Sequence, residues 1–257
     1  MDLHIKNQTF LVCGVTSGLG KATAEHLIAE GAKAIGIART EQSLTQMAKQ
    51  HSDSLIPIVA DITNTENIKQ IIEQSITANI SGVFINSGGP PAKKFEETNL
   101  SDWDNAYNHL LKWKVTLIQG LLPHFKSLKY GRFVFLESSS VKQPIDNLVL
   151  STSLRLSVVG LMKTLSQELA GSGITFNLIA PGSHDTPAID RLISKKSEEQ
   201  NIGFEDAKNA FIQNQPTKTL GNPKHLGSLA TWLLSPLSEF VNGQVYAIEG
   251  GAVKSTL

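Results

Sequence analysis

The sequence holds a single cysteine, Cys13, so its 257 residues cannot close an internal disulfide. It has no excess of either charge, with 23 Lys+Arg against 23 Asp+Glu. Without a net field nothing draws a polyanion or an acidic membrane to it, and no basic run is interleaved with aromatics, so neither nucleic acid nor membrane is an expected partner. No apolar run approaches the roughly 18 residues of a membrane span. The opening Met1-Asp2-Leu3-His4-Ile5-Lys6-Asn7 lacks the basic flank and apolar stretch of a signal peptide. The closing Ser255-Thr256-Leu257 is not the Ser-Lys-Leu address of peroxisomes. These absences lead to the expectation of a soluble, cytoplasmic-type protein. No repeat, low-complexity segment or linker divides it. A chain of this length buries roughly three quarters of the surface it would expose unfolded, enough for one core without staples.

What is present is an alternation of short apolar runs and segments of helical period. The runs are Phe10–Cys13, Ala34–Ala38, Leu55–Ala60, Val83–Ile85, Phe133–Leu136, Ile174–Ile179 and Gln244–Ile248, each bounded by Gly, Pro or polar residues. Between them fall Leu19/Thr23/Leu27, Leu44/Met47/Ala48, Ile68/Ile71/Ile72/Ile76, Leu110/Leu111/Val115/Ile118, Leu156/Val159/Met162/Lys163 and Leu226/Leu229/Ala230/Leu233. Seven strands, mostly unalternated in polarity, predict a parallel sheet covered on both faces by helices. The fold class is α/β, a doubly wound parallel sheet in one domain. Ligands of such sheets sit beyond the carboxyl ends of the strands, so the loops there carry the functional reading.

After the first run comes Gly14-Val15-Thr16-Ser17-Gly18-Leu19-Gly20, then a helix start. Glycines admit positive φ and bring backbone close to a phosphate, and a helix amino terminus offers free N–H groups, so the turn predicts a pyrophosphate site. Its spacing is Gly-x-x-x-Gly-x-Gly rather than Gly-x-Gly-x-x-Gly, and a tight turn without ligand is the alternative. The second strand ends in Ile37-Ala38-Arg39-Thr40, with no carboxylate for an NAD ribose and an arginine suited to a phosphate. NADP(H) is therefore expected over NAD(H), against the plainer reading of Arg39 as a solvated surface residue.

With these residues in view the chain resembles the short-chain dehydrogenase/reductase family, and within it the 3-oxoacyl-[acyl-carrier-protein] reductases, over nearly its full length. Cys13-Gly14-Val15-Thr16-Ser17-Gly18-Leu19-Gly20 is similar to the family's Thr-Gly-x-x-x-Gly-x-Gly. Asp61-Ile62 resembles its adenine-contacting acidic residue, Asn86-Ser87-Gly88-Gly89 its Asn-Asn-Ala-Gly, Pro181-Gly182-Ser183-His184-Asp185-Thr186 its Pro-Gly-x-x-x-Thr, and Glu249-Gly250-Gly251 its Asp-Gly-Gly. The resemblance implies a Rossmann-type fold of about seven strands. It also implies cofactor contacts at Gly14, Thr16, Ser17, Gly18, Leu19, Gly20, Asp61, Ile62, Asn86, Ser87, Gly88, Pro181, Gly182, His184 and Thr186, with Arg155 joining them.

The family's catalytic set is Ser, Tyr, Lys and Asn, and here those places fall on Ser138, Ser151, Arg155 and Leu110. Only the Ser is kept. Ser151 has no phenol, and its hydroxyl ends roughly 4 Å short of a Tyr oxygen, so it is not expected to act as the acid. Arg155 can clasp ribose hydroxyls and supply positive potential, but it does not shuttle protons as Lys does. Leu110 reads as part of an apolar helix face with Leu111, Val115 and Ile118. Ser138 is either functional or a polar cap at a strand end. Replacement acids, in order, are Lys142, His184 and Tyr107, each with a duller reading as surface lysine, loop hydrogen-bond partner or core tyrosine. A divergent branch of the family, similar in Asn86-Ser87-Gly88-Gly89-Pro90-Pro91 and Ser139-Ser140-Val141-Lys142-Gln143-Pro144, also lacks the full catalytic set.

The sequence thus predicts an NADP(H)-dependent oxidoreductase acting on a small-molecule or thioester carbonyl. The alternative is a catalytically silent nucleotide-binding protein of the same fold, and a homologue without cofactor is a third reading. No metal is expected. Residues 187–216 read as a substrate lid of two helices joined at the polar Ser194–Glu199, or as a surface hairpin. By resemblance, a homodimer or homotetramer would use helices at Trp103–Leu122 and Ser153–Gly171 and the carboxyl-terminal strand. Trp232, Leu233 and Leu234 suit such a contact or an ordinary core.

Overall fold

Side chains that alternate across each strand split the apolar residues between two faces of one sheet. Strands β1 (Thr9–Cys13), β2 (Lys33–Ala38), β3 (Leu55–Val59), β4 (Gly82–Asn86), β5 (Gly131–Leu136), β6 (Ile174–Pro181) and β7 (Val245–Ile248) run parallel in the order β3-β2-β1-β4-β5-β6-β7. The computed structural model describes residues 1–256; Leu257, the last residue of the terminal tripeptide read above, lies outside them. Helices α1 (Gly18–Ala29), α2 (Glu41–His51), α3 (Thr65–Thr77), α4 (Leu100–Tyr107), α5 (Trp113–Leu128), α6 (Val149–Glu168) and α9 (Pro223–Leu234) cover the faces. Between β6 and α9 lie α7 (Pro187–Gln200) and α8 (Phe204–Gln213).

On one face Leu11, Val83, Phe133 and Phe176 pack against Ile71, Leu117, Phe125, Val158 and Met162. Phe133 and Phe176 stack with ring centres 4.9 Å apart. On the other face Phe10, Val12, Phe84 and Val134 meet Ala24, Leu27, Leu226, Ala230 and Leu233. Cys13 is free and buried. Among the described residues no helix is long and apolar enough to cross a membrane.

Several expectations need correction. β3 is an edge strand, and Ile56 and Val59 are 42% and 50% exposed rather than covered on both faces. Pro57 is tolerated there because an edge strand can forgo a ladder N–H. The helical face read through Leu110 is not continuous. A π-helical turn, Asn108–Lys112, joins α4 to α5, and the Trp113 indole N–H donates across it to the His109 carbonyl, 2.8 Å. Leu110 is fully buried, as the apolar reading requires. The run Ser194–Glu199 is no join. It lies inside α7, where Lys195 and Glu199 pair at 3.7 Å, and the chain turns instead at Asn201 in left-handed backbone, φ 51°. Leu233 and Leu234 are buried within the protein's own core, with Trp232 packed against it.

Candidate cofactor and active site

Strand order reverses between β1 and β4, and the loops diverge there to leave a cleft. Its floor is the β1–α1 turn. Gly14 and Gly18 hold φ of 71° and 56°, and a Cβ on Gly20 would stand 2.3 Å from the Gly14 carbonyl oxygen, so only glycine lets the turn close on α1. Ser17 caps α1 without a side-chain hydrogen bond and no acidic residue occupies the first turn, which leaves the terminal N–H groups and their positive potential available to an anion. Asn86 Nδ2 donates to the Cys13 carbonyl, 3.3 Å, tying the end of β4 to this turn. Burial pushes the Cys13 thiol up to about 12, so it stays a neutral core group.

The cleft has a volume of about 780 Å³ and crosses the sheet ends. It gathers Gly14, Thr16, Ser17, Gly18 and Leu19 from the turn, Arg39, Asp61 and Ile62 from the ends of β2 and β3, and Asn86, Ser87 and Gly88 from β4. Glu137, Arg155, Pro181 and Thr186 line the far side. Arg39 follows β2 and Glu137 follows β5, three strand positions apart in the sheet, which is about 14 Å at the usual spacing. Asp61 Oδ1 accepts from the Thr63 N–H and hydroxyl at 2.8 and 2.7 Å, and these bonds hold its carboxyl below the ordinary value. Ser87 Oγ is buried and has no hydrogen-bond partner among the described residues.

Other predicted site residues stand elsewhere. Gly20 acts beneath the turn, and Gly182 packs on Glu249, whose Cβ would lie 2.6 Å from a Cβ at that position. Ser138 Oγ accepts from the Ser140 N–H, 3.1 Å, the capping role. Ser138, Lys142, Ser151 and Tyr107 are not among the residues lining the cleft, and Tyr107 is exposed.

The far side of the cleft holds a feature that motif matching did not find. Glu137, the residue after β5, is buried with both oxygens bound. Lys114 Nζ donates to Oε1, and Arg155 Nη1 donates to Oε2 at 2.7 Å. Arg155 Nε donates to Ser151 Oγ, 3.1 Å. The Lys114 and Glu137 side chains are 0% exposed and that of Arg155 6%. Two cations thus share one carboxylate. The expectation that Arg155 clasps a ribose is narrowed, because Nη1 and Nε are committed to the protein and Nη2 is the nitrogen left over. Nη2 lies 3.5 Å from where a Cβ of Gly89 would stand, so the glycine leaves it room. Burial holds the Lys114 ammonium below its ordinary value, opposed by Glu137. The overlooked signal was a charge on an apolar period: Lys114 shares a helix face with Leu117 and Leu121, and Glu137 directly follows a wholly buried strand.

Comparison with known proteins settles the family. The model of the family described as enoyl-(acyl carrier protein) reductase matches residues 14–253. The chain belongs to the short-chain dehydrogenase/reductase family of oxidoreductases. It is 27% identical to the uncharacterized oxidoreductase YvaG of Bacillus subtilis, over 99% of each chain. It is 26% identical to the 3-oxoacyl-[acyl-carrier-protein] reductase FabG of Thermotoga maritima, over 98% of this chain and all of that one. The fold matches L-sorbose reductase from Gluconobacter frateurii, solved with NADPH and L-sorbose. The TM-score is 0.93 at 21% identity, covering 99% of this chain and 100% of the other.

In this short-chain dehydrogenase/reductase two further residues, His109 and Arg191, line the cleft without having been read from the sequence. They lie outside the matched motifs, on the π-helical turn and on α7. His184 does not line the cleft. Its Nδ1 meets the Gly182 carbonyl at 3.1 Å, and its ring packs so closely on Gly221 that a Cβ there would come within 2.7 Å. Burial lowers its pKa, so the folded protein binds the proton less readily than the unfolded chain. Stability is then full above the unfolded value of about 6.5 and falls as pH drops through the folded one. Thermal melts between pH 7.5 and 5 should show this loss, and His184→Gln should flatten the slope; an unchanged slope would remove His184 as its source.

Proposed function

We propose that the protein reduces a carbonyl group with NADPH, similar in kind to 3-oxoacyl-[acyl-carrier-protein] reductases but with a substituted catalytic centre. The residues present fit the dinucleotide. The glycine turn that only Gly20 allows, the open α1 terminus and the orphaned Ser87 Oγ form one cradle, and Arg39 offers a guanidinium for the extra phosphate that distinguishes NADP(H). Arg191 adds a second cation from α7, and residues 187–216, α7 and α8 with their flanks, are the proposed substrate lid.

When bound, the reduced nicotinamide supplies a hydride to the carbonyl carbon. The chain's own part is electrostatic. Arg155, held by Glu137 and Ser151, presents Nη2 as a fixed donor to the carbonyl oxygen and to the negative charge it gains. A guanidinium donates hydrogen bonds rather than protons, so the alkoxide takes its proton from water, and the roughly 10²–10⁴-fold of a positioned acid is forgone. Arg155 anchored on a buried carboxylate is the observation that carries this reading. A small-molecule or thioester carbonyl is the proposed substrate, and a homodimer or homotetramer through α5 and α6 the proposed assembly.

The test is NADPH fluorescence at protein concentrations comparable to the cofactor, followed by an acetoacetyl thioester and a carbonyl panel. A shift and then carbonyl-dependent loss is expected, and Arg155→Met should remove the loss but not the shift. A shift with no loss for any carbonyl would favour the silent nucleotide-binding protein. Arg39→Ala should weaken NADPH by about 10–100-fold, the worth of a charge-assisted bond, while leaving NADH unchanged. Equal weakening of both would sink the assignment of Arg39 to the phosphate.

A further inference from the structure

Glu137 and Arg155 alone would make a neutral pair, with Arg155 also bound to Ser151. Lys114 fills the other Glu137 oxygen and brings a second cation to the one carboxylate. Desolvating that ammonium is costly, and Leu117 and Leu121 on its own helix face are apolar. Nothing else balances the extra charge. Among the described residues Glu137 is the one buried carboxylate, and the other group facing Lys114, the Cys13 thiol from β1, is neutral at ordinary pH. The cluster of Lys114 from α5, Glu137 just after β5 and Arg155 from α6 thus carries one net positive charge at the far side of the cleft, which Glu137 and Arg155 line.

We infer that Lys114 makes this site discriminate between the two charge states of its cofactor. The uncompensated buried charge favours the reduced, uncharged nicotinamide over the oxidised, cationic one, and so poises the site for carbonyl reduction rather than alcohol oxidation. The inference rests on the NADP(H) reading above. The rest of the dinucleotide is the same in both forms, so turn, phosphate and adenine contacts cancel in the ratio of the two dissociation constants. A unit charge acting over about 10 Å through an effective dielectric near 20 changes an equilibrium roughly tenfold. For a two-electron couple, tenfold corresponds to about 30 mV in the potential of the bound cofactor.

The experiment measures NADPH binding by fluorescence and NADP+ binding by calorimetry, both without substrate, for the wild type, Lys114→Met and Glu137→Gln. The wild type should bind NADPH about tenfold more tightly than NADP+. Lys114→Met should bring the ratio toward one, and Glu137→Gln, which adds net charge, should raise it. Opposite signs are the signature, because a merely structural role would weaken both dinucleotides in both variants. Should the variants fail to fold, the wild type decides alone. Its ratio should stand about tenfold in favour of NADPH at neutral pH. A wild-type ratio of one would overturn the inference while leaving the cofactor reading intact, and binding of neither form would overturn both.

Discussion

Glu137→Leu should destabilise the fold by about 3–5 kcal/mol, measured as a lower midpoint and extrapolated free energy in urea unfolding. The residue holds two cations at once, and both lose their partner together. Lys114, with none of its side chain exposed, would be left as an unpaired ammonium in the core next to the guanidinium of Arg155. Neither has another carboxylate to turn to among the buried residues. Lys114→Met should cost less, since Glu137 keeps its charge partner Arg155 and loses only the bond to its other oxygen. Combining Lys114→Met with Glu137→Leu should recover part of the loss, because one of the two stranded charges is gone and Arg155 borders the cleft, where water reaches it. A cost below about 1 kcal/mol for Glu137→Leu would mean that the cations find water or lose their protons without strain, and the fixed geometry claimed for Arg155 would fail with it.

The second large effect is expected at Gly20. In Gly20→Ala the new Cβ meets the Gly14 carbonyl oxygen at 2.3 Å, its carbon at 2.9 Å and the Cys13 carbonyl oxygen at 3.0 Å. All three are backbone atoms of the β1–α1 turn, so no side chain can swing aside. The turn must open, and the α1 terminus moves relative to the loop with which it forms the anion site. Overpacking of this kind costs about 1–3 kcal/mol, and if most of it falls on the site, NADPH affinity drops by roughly 100-fold. Gly88→Ala is the control within the same cleft. Nothing lies within 4 Å of a Cβ there, and its backbone is not left-handed, so affinity should change little. Equal affinities for the wild type and Gly20→Ala in fluorescence titration would remove the turn from the cofactor site.

The fold was readable because its determinants are local. Seven apolar runs bounded by turn residues and six helical periods specify the alternation, and every run coincides with a strand to within a residue or two at its ends. The exceptions have local causes too. β3 looked buried because Leu55-Ile56-Pro57-Ile58-Val59 is apolar throughout, and only its place at the sheet edge leaves Ile56 and Val59 exposed. The polar Ser194–Glu199 looked like a loop, yet a helix that faces solvent on most sides tolerates such a run, and the break came at the left-handed Asn201.

The near side of the cleft was legible for the same reason. A tight glycine turn is made by consecutive residues with particular backbone needs, so Gly14, Gly18 and Gly20 announce themselves in one short segment, and Arg39 is marked by ending a strand. The far side was not. Its parts are contributed by α5, β5 and α6, with Lys114 and Glu137 separated by 23 residues and Glu137 and Arg155 by 18. The sequence by itself determined the doubly wound order and the glycine turn after β1. Only the tertiary structure decided that Arg155 is anchored rather than free, that Ser138 accepts a capping hydrogen bond, and that a buried lysine joins the cluster. Periodicity records which face of an element is buried. It carries no record of which buried charges meet across elements, because that pairing is fixed by the packing of helices on the sheet.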